Sequence, residues 1–284
     1  MSHFNIAALQ LDLSNQDNLY LIQNEIESTA ARFPWLDMIV VGELATFGTS
    51  LSRAQQPGGE AEQAYCELAE KLGIWLVPGT LFEQQGKDTY NSALVINPAG
   101  EVVVRYHKMF PFLPYEKGVT PGTEFPVFDV PGVGRFGLCI CYDQWFPEFI
   151  RSLACQGAEV ILCPTLTNTI DRDVELSIAR ANAAINQCYF FSVNVAGKLG
   201  LGKSVVVGPE GNVIHQASNG HEVITVAVDL DHVRRTRERG LQGLCQTLKS
   251  FRDAPVAFPA YADSGEGASA LQELGELKVP ERGV

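Results

Sequence analysis

The sequence predicts an α/β layered sandwich. Three observations carry that expectation. Strand-like and helix-like segments alternate through two halves of the chain, and a hairpin is inserted in each half. The 284 residues, 46% hydrophobic and 19% charged, can bury one sizeable core. Each half runs strand, helix, strand, helix, with no repeated sequence.

Taken in order, Phe4 to Leu11 reads as a buried strand, and Asn15 to Arg32 carries Leu19, Ile22, Ile26 and Ala30 at helical spacing. Asp37 to Val41 is an apolar strand ending in Gly42-Glu43. Ala61 to Leu72 is helical, and Trp75 to Leu81 is a strand followed by a polar loop from Glu83 to Lys87. Asn91 to Asn97, the turn Pro98-Ala99-Gly100, and Glu101 to Tyr106 form a hairpin. A loop from Lys108 to Pro126 follows, dense in Pro, Gly and aromatics; long loops of that kind inside compact domains are usually functional. In the second half, Glu159 to Cys163 and Tyr189 to Val195 are strands around a helix from Asp173 to Gln187. Ser204 to Val207, Gly211 to His215 and Val223 to Val228 complete a second strand cluster, and Asp231 to Arg239 is a short basic helix. The composition shifts beyond Cys245. Residues 1–261 read as one domain. Residues 262–284 read as a tail, with a flexible joint at Asp263 to Gly267 and a short amphipathic stretch from Ala268 to Lys278, packing on a subunit or other surface.

The net charge of −12 argues against nucleic acid and anionic membranes as partners. The N-terminus lacks the pattern of a signal peptide, and no apolar run approaches a membrane span. The seven cysteines include no CxxC pair, and the histidines have no metal-ligand spacing, so neither metal nor cofactor is expected. A reduced, cytoplasmic protein is the simplest account.

The chemistry gathers around Phe136 to Glu148. An apolar run ends in Cys141, a polar and aromatic turn follows, and Pro147 suits the first position of the helix that runs to Cys155. Such a strand-to-helix bend aims a side chain outward beside unpaired backbone N–H groups. Cys141 is therefore a candidate nucleophile, with a buried core cysteine as the alternative. Cys139 has the same strand parity, but Cys141 is nearer the end of the strand, where α/β sites collect. Glu43 and Lys108 also close apolar runs, so three reactive types at the C-terminal ends of parallel-type strands can converge on one crevice. Glu116 lies in the loop after Lys108, either there or as a surface charge beside Lys117. A Cys–His pair is disfavoured: His107 points away from Lys108 if both lie in a strand, and the other histidines sit near termini, turns or a charged helix.

Gly197 to Ser204 matches the P-loop pattern GxxxxGK[ST], and a strand precedes it. A P-loop must open a helix, however, and here a short strand and a turn follow, so the context fails.

Glu43, the stretches His107-Lys108 and Tyr115 to Gly118, and Cys141-Tyr142-Asp143 with Phe146-Pro147-Glu148 together resemble the nitrilase superfamily of carbon–nitrogen hydrolases. The resemblance extends through Asn91-Ser92-Ala93, Pro121-Gly122, Ala179-Arg180-Ala181, Asn194 and Gly208 to Gly211, over about residues 4 to 261. It implies a four-layer α-β-β-α sandwich and a homodimer or higher homo-oligomer. It also implies a thiol amidohydrolase that acts on a small-molecule amide, forms a thioester and releases ammonia and a carboxylic acid. In that scheme Glu43 is the general base and Cys141 the nucleophile. Lys108 and the Tyr142 backbone N–H receive the oxyanion, and Glu116 supports Lys108 and positions the substrate. A thiolate lowered in pKa by Lys108 is the expected attacking form. Tyr142-Asp143, in place of Trp-Glu, favours an amide over a nitrile, and the segment from Asp143 to Glu148 is similar to the N-carbamoylputrescine amidase version of the motif. An N-carbamoyl amine or a nitrile is the alternative substrate, and a catalytically silent or nucleotide-binding protein the alternative class. Phe47, Phe110, Phe112, Tyr115, Trp145 and Leu166 are candidates to line an apolar acyl pocket.

Overall fold

A seven-stranded and a six-stranded sheet pack face to face, and helices cover the outside of each. This is the four-layer α-β-β-α sandwich. The computed structural model describes residues 3–241 and 243–258, together with Tyr261, Leu271 and Leu274. The expected joint and amphipathic stretch of the tail lie outside the described residues, apart from the exposed Leu271 and Leu274.

The layering follows from strand parity. In His3–Gln10, Met38–Val41 and Trp75–Val77, almost every residue is buried, as in strands covered on both faces. Ile6, Ala8, Met38, Val40 and Val77 point into the core between the sheets. Their alternates Ala7, Leu9, Ile39, Val41 and Leu76 meet Ile22 and Ile26 of helix Leu19–Arg32, and Tyr65 and Leu68 of helix Glu60–Leu72. On the other side, Phe149, Ile150 and Leu153 of helix Pro147–Cys155 and Ala179 and Ala183 of helix Asp171–Asn186 cover the second sheet.

Several elements differ from the sequence reading. The strand expected over Trp75 to Leu81 is split. Gly79 turns at φ +83°, and a Cβ there would sit 1.9 Å from the Gly42 carbonyl oxygen. The polar loop after it is instead a hairpin, Thr80–Gln85 with Asp88–Ile96. A strand not foreseen, Val127–Val130, pairs antiparallel with Gly134–Leu138. Glu222–Asp229 does not join the second cluster. It crosses back to pair antiparallel with His3–Gln10, which ties the end of the domain to its beginning.

Candidate active site

Cys141 stands at a bend. The strand Gly134–Leu138 ends, and Cys141 opens a short 3-10 helix, Cys141–Trp145, with φ at +44°. A side chain in that left-handed region is strained by about 1–2 kcal/mol. Asp143 holds the turn against this. Its Oδ2 accepts the Ile140 N–H at 2.9 Å and the Tyr106 O–H at 2.8 Å, and its Oδ1 accepts the Phe110 N–H at 3.0 Å. One carboxylate thus fastens the bend to the segment that carries Lys108. Burial pushes Asp143 up to about 7, although Lys108 and these three donors favour its charged form. Cys139 is buried in the inter-sheet core, where burial and the neighbouring Cys163 push its thiol well up. Cys141 lines the cavity. The bend therefore separates two cysteines that parity alone could not.

Glu43 leaves the first sheet just past Met38–Val41 and crosses to the second, where its N–H donates to the Thr165 carbonyl at 3.1 Å. Gly42 permits that approach, because a Cβ there would lie 2.7 Å from Val195 Cγ2. Lys108 follows the strand Val102–His107, which runs antiparallel to Asp88–Ile96. The expectation of three parallel-type strand ends is therefore corrected: the residues come from both sheets and from strands of mixed direction. Lys108 Nζ donates to Glu43 Oε1 at 2.8 Å and to Glu116 Oε2 at 2.6 Å. All three side chains are buried, so Glu116 is no surface charge. Asn91 Nδ2 bridges the same two carboxylates, to Glu43 Oε1 at 2.8 Å and Glu116 Oε1 at 2.7 Å. The Leu166 N–H fixes Glu43 Oε2 at 2.9 Å, and the Phe112 N–H fixes Glu116 Oε2 at 2.6 Å.

Burial disfavours the Lys108 ammonium, but Glu43 and Glu116 outweigh it and hold the lysine well above its usual range. Burial raises Glu43, with Glu116 adding to the rise and Lys108 opposing it. Cys141 runs opposite to the expectation of a lowered thiol. Burial pushes it well up, Glu43 and Glu175 add to that, and Lys108 only partly compensates. A neutral thiol beside a carboxylate of raised basicity is the resting arrangement, and it calls for proton transfer in step with attack.

These groups open onto a cavity of about 320 Å³. Tyr115, Trp145 and Leu166 line it, with Phe112, Tyr142, Leu44 and Phe82. Phe47 and Phe110 do not line it. Phe47 packs in the core between the first sheet and its helices, and Phe110 stacks on Phe146 with ring centroids 3.6 Å apart. Nor are the walls as apolar as expected, since Asn15, Thr49, Asn168, Thr169, Asp171 and Lys198 also face the space.

The carbon-nitrogen hydrolase family model matches residues 5–238. The chain belongs to the carbon–nitrogen hydrolase family. A formamidase of Bacillus cereus (strain Q1) is 29% identical over 280 residues, covering 89% of this chain and 82% of that one. Among solved structures, Saccharomyces cerevisiae Nit3, a member of branch 10 of the nitrilase superfamily, superposes with a TM-score of 0.77. It is 27% identical over 84% of this chain and 94% of its own. A point mutant of the amidase from Nesterenkonia sp. AN1, solved with acrylamide added at its active site cysteine, gives a TM-score of 0.73 and 26% identity over 83% of this chain and 97% of that one.

In this hydrolase the P-loop-like stretch is a structural loop. Ala196–Gly197 pairs with Asp12–Leu13, and no helix follows. Ser204 is buried and accepts the Asn194 N–H, while Lys203 pairs with Asp173 at 2.7 Å. Both side chains a phosphate would need are engaged elsewhere. Sequence reasoning passed over Asn91, Thr167, Arg172 and Glu175 as site residues. A signal existed for the last two: Arg172, Glu175, Ala179, Asn182, Ala183 and Asn186 form the buried stripe of one helix, and two of them are charged.

Proposed function

We propose that this hydrolase is a cysteine amidase that cleaves a non-peptide C–N bond of a small amide through a Cys141 thioester, releasing ammonia and a carboxylic acid. The observation that carries the reading is Lys108 held between Glu43 and Glu116 at the cavity that Cys141 lines. Cys141 attacks the amide carbonyl as Glu43 takes the thiol proton. The developing oxyanion is received by the Lys108 ammonium and the Tyr142 N–H, which lies in the first turn of its 3-10 helix without an intrahelical acceptor. A donor of that kind is worth about 3 kcal/mol to the transition state. Glu43 returns the proton to the departing amine, then takes one from the water that cleaves the thioester. Glu116 positions Lys108 and the amide, and Asn91 ties Glu116 to Glu43.

The relatives named formamidase and amidase support an amide substrate. The cavity is far larger than formamide requires, which supports a bulkier acyl group whose far end meets the polar mouth. We further propose a cytoplasmic homodimer or higher homo-oligomer. All seven cysteines are free thiols, and Ile170, just before helix Asp171–Asn186, stands exposed with Val174 and Ile185 of that helix, which supports a subunit contact there. No helix among the described residues is long and apolar enough to cross a membrane. The decisive experiment mixes the protein with a panel of amides and follows ammonia release alongside mass spectrometry of the Cys141 peptide. An acyl adduct on Cys141 with matching ammonia is expected; turnover without Cys141 overturns the reading.

A further inference from the structure

A second buried network reaches the same cavity, through Thr167 and Glu175, and has no part in the chemistry above. Glu175 Oε2 accepts from Arg172 Nη1 at 3.0 Å, and both side chains are almost wholly buried. Arg172 is anchored in turn, to Ser192 Oγ at 3.0 Å and to the Lys203 carbonyl at 2.8 Å. Thr167 Oγ1 donates to the Glu175 carboxylate, 2.9 Å from Oε2 and 3.1 Å from Oε1. The same hydroxyl oxygen lies 3.8 Å from Cys141 Sγ, and the Leu166 carbonyl lies 3.9 Å from it.

A threonine hydroxyl has one proton and two lone pairs, whereas the carboxylate of an ion pair can only accept. With its proton committed to Glu175, Thr167 presents a lone pair to the sulfur. We propose that Glu175, acting through Thr167, is a positioning residue for the nucleophile: it fixes the Thr167 hydroxyl as an acceptor that holds the Cys141 thiol protonated and oriented until substrate arrives. The inference rests on Cys141 being the nucleophile. The Thr167 backbone does not depend on Glu175, because its N–H donates to Asn194 Oδ1 at 2.8 Å and its carbonyl accepts from Asn194 Nδ2 at 3.1 Å. The hydroxyl can therefore be altered without moving the strand end that carries it.

The charges around the sulfur come from every side. They are Glu43 and Lys108 from the ends of two first-sheet strands, Glu116 from the long loop, Glu175 and Arg172 from helix Asp171–Asn186, and Asp143 from the turn itself. Of these, Glu175 opposes the thiolate without taking part in proton transfer. A glutamine at 175 would turn an N–H toward Thr167 Oγ1 and free the threonine proton for the sulfur, reversing the polarity of the contact.

The test is the pH dependence of Cys141 alkylation by iodoacetamide, read on its own peptide by mass spectrometry so that the exposed Cys155 and Cys245 do not contribute. In Glu175→Gln, alkylation at neutral pH should rise about tenfold, a downward shift of roughly one unit in the midpoint, while kcat for amide hydrolysis falls more than KM changes. Thr167→Val leaves the Arg172–Glu175 pair in place and should shift the midpoint the same way; Thr167→Ser should restore it. If Glu175→Gln does not fold, the Thr167 pair decides alone. Midpoints equal to wild type in the folded variants overturn the proposal, as does a serine that fails to rescue. Because alkylation is read without turnover, an inactive wild type would count against the amidase assignment and leave this readout intact.

Discussion

Two buried charge clusters flank Cys141, and they are built differently. On one side a single ammonium, Lys108, faces two carboxylates, Glu43 and Glu116. On the other a single guanidinium, Arg172, faces one, Glu175. The first carries a formal charge of −1 and the second is neutral. At about 4 Å two charges near a protein surface interact by roughly 4 kcal/mol, so one unmatched carboxylate decides where a proton is welcome. That surplus agrees with a raised Glu43 and with the role of proton acceptor given to it. The balanced pair is suited to holding a hydroxyl in place. Burial in both clusters keeps the geometry fixed.

The largest effects should fall on the unbalanced side. Cys141→Ala should abolish ammonia release while circular dichroism and Tm stay near wild type, since the turn is held by Asp143 rather than by the sulfur. Glu43→Gln should lower kcat/KM about a thousandfold or more, in line with losing both a general base and part of the oxyanion environment. Lys108→Ala should be as inactive and should also lower stability by about 3–5 kcal/mol in denaturant melts, because it leaves two buried carboxylates without their cation. Comparable losses on the Glu175 side would break the contrast.

Two smaller effects sharpen it. Activity needs Glu43 ionised, and burial holds its pKa above 4.5, so the acidic limb of kcat/KM should lie above pH 4.5. Asp143 gives a stability signature with its own sign. Its folded pKa, about 7, is higher than its ordinary 3.8, so the folded state binds the extra proton between those values. Stability therefore falls as pH rises through that window and levels off above it. In Asp143→Asn the dependence of Tm on pH between about 4 and 7 should flatten relative to wild type; an unchanged slope would show that Asp143 is not the titrating group.

The contrast also explains what could be read in advance. Cys141, Glu43 and Lys108 each end an apolar run, and charge or polarity at such a point stands out in one dimension. Glu116 is brought to Lys108 by a loop whose path no periodicity records. Asn91 looks like any polar residue in a strand, yet its amide spans two carboxylates that lie 48 and 25 residues away. The cavity walls are hidden from the sequence for the same reason: Phe47 and Phe110 are aromatic and close in sequence to the site, but one faces the first sheet's helices and the other Phe146.

The chain's own order of apolar runs, turns and Pro147 determined the layered α/β class, the bend at Cys141 and the residue types available there, because periodicity and local backbone preference are properties of neighbouring residues. Only the packing of the two sheets decided the protonation of the sulfur. Burial, two carboxylates and one ammonium act on it through space, and the balance among them depends on distances between segments far apart in the chain.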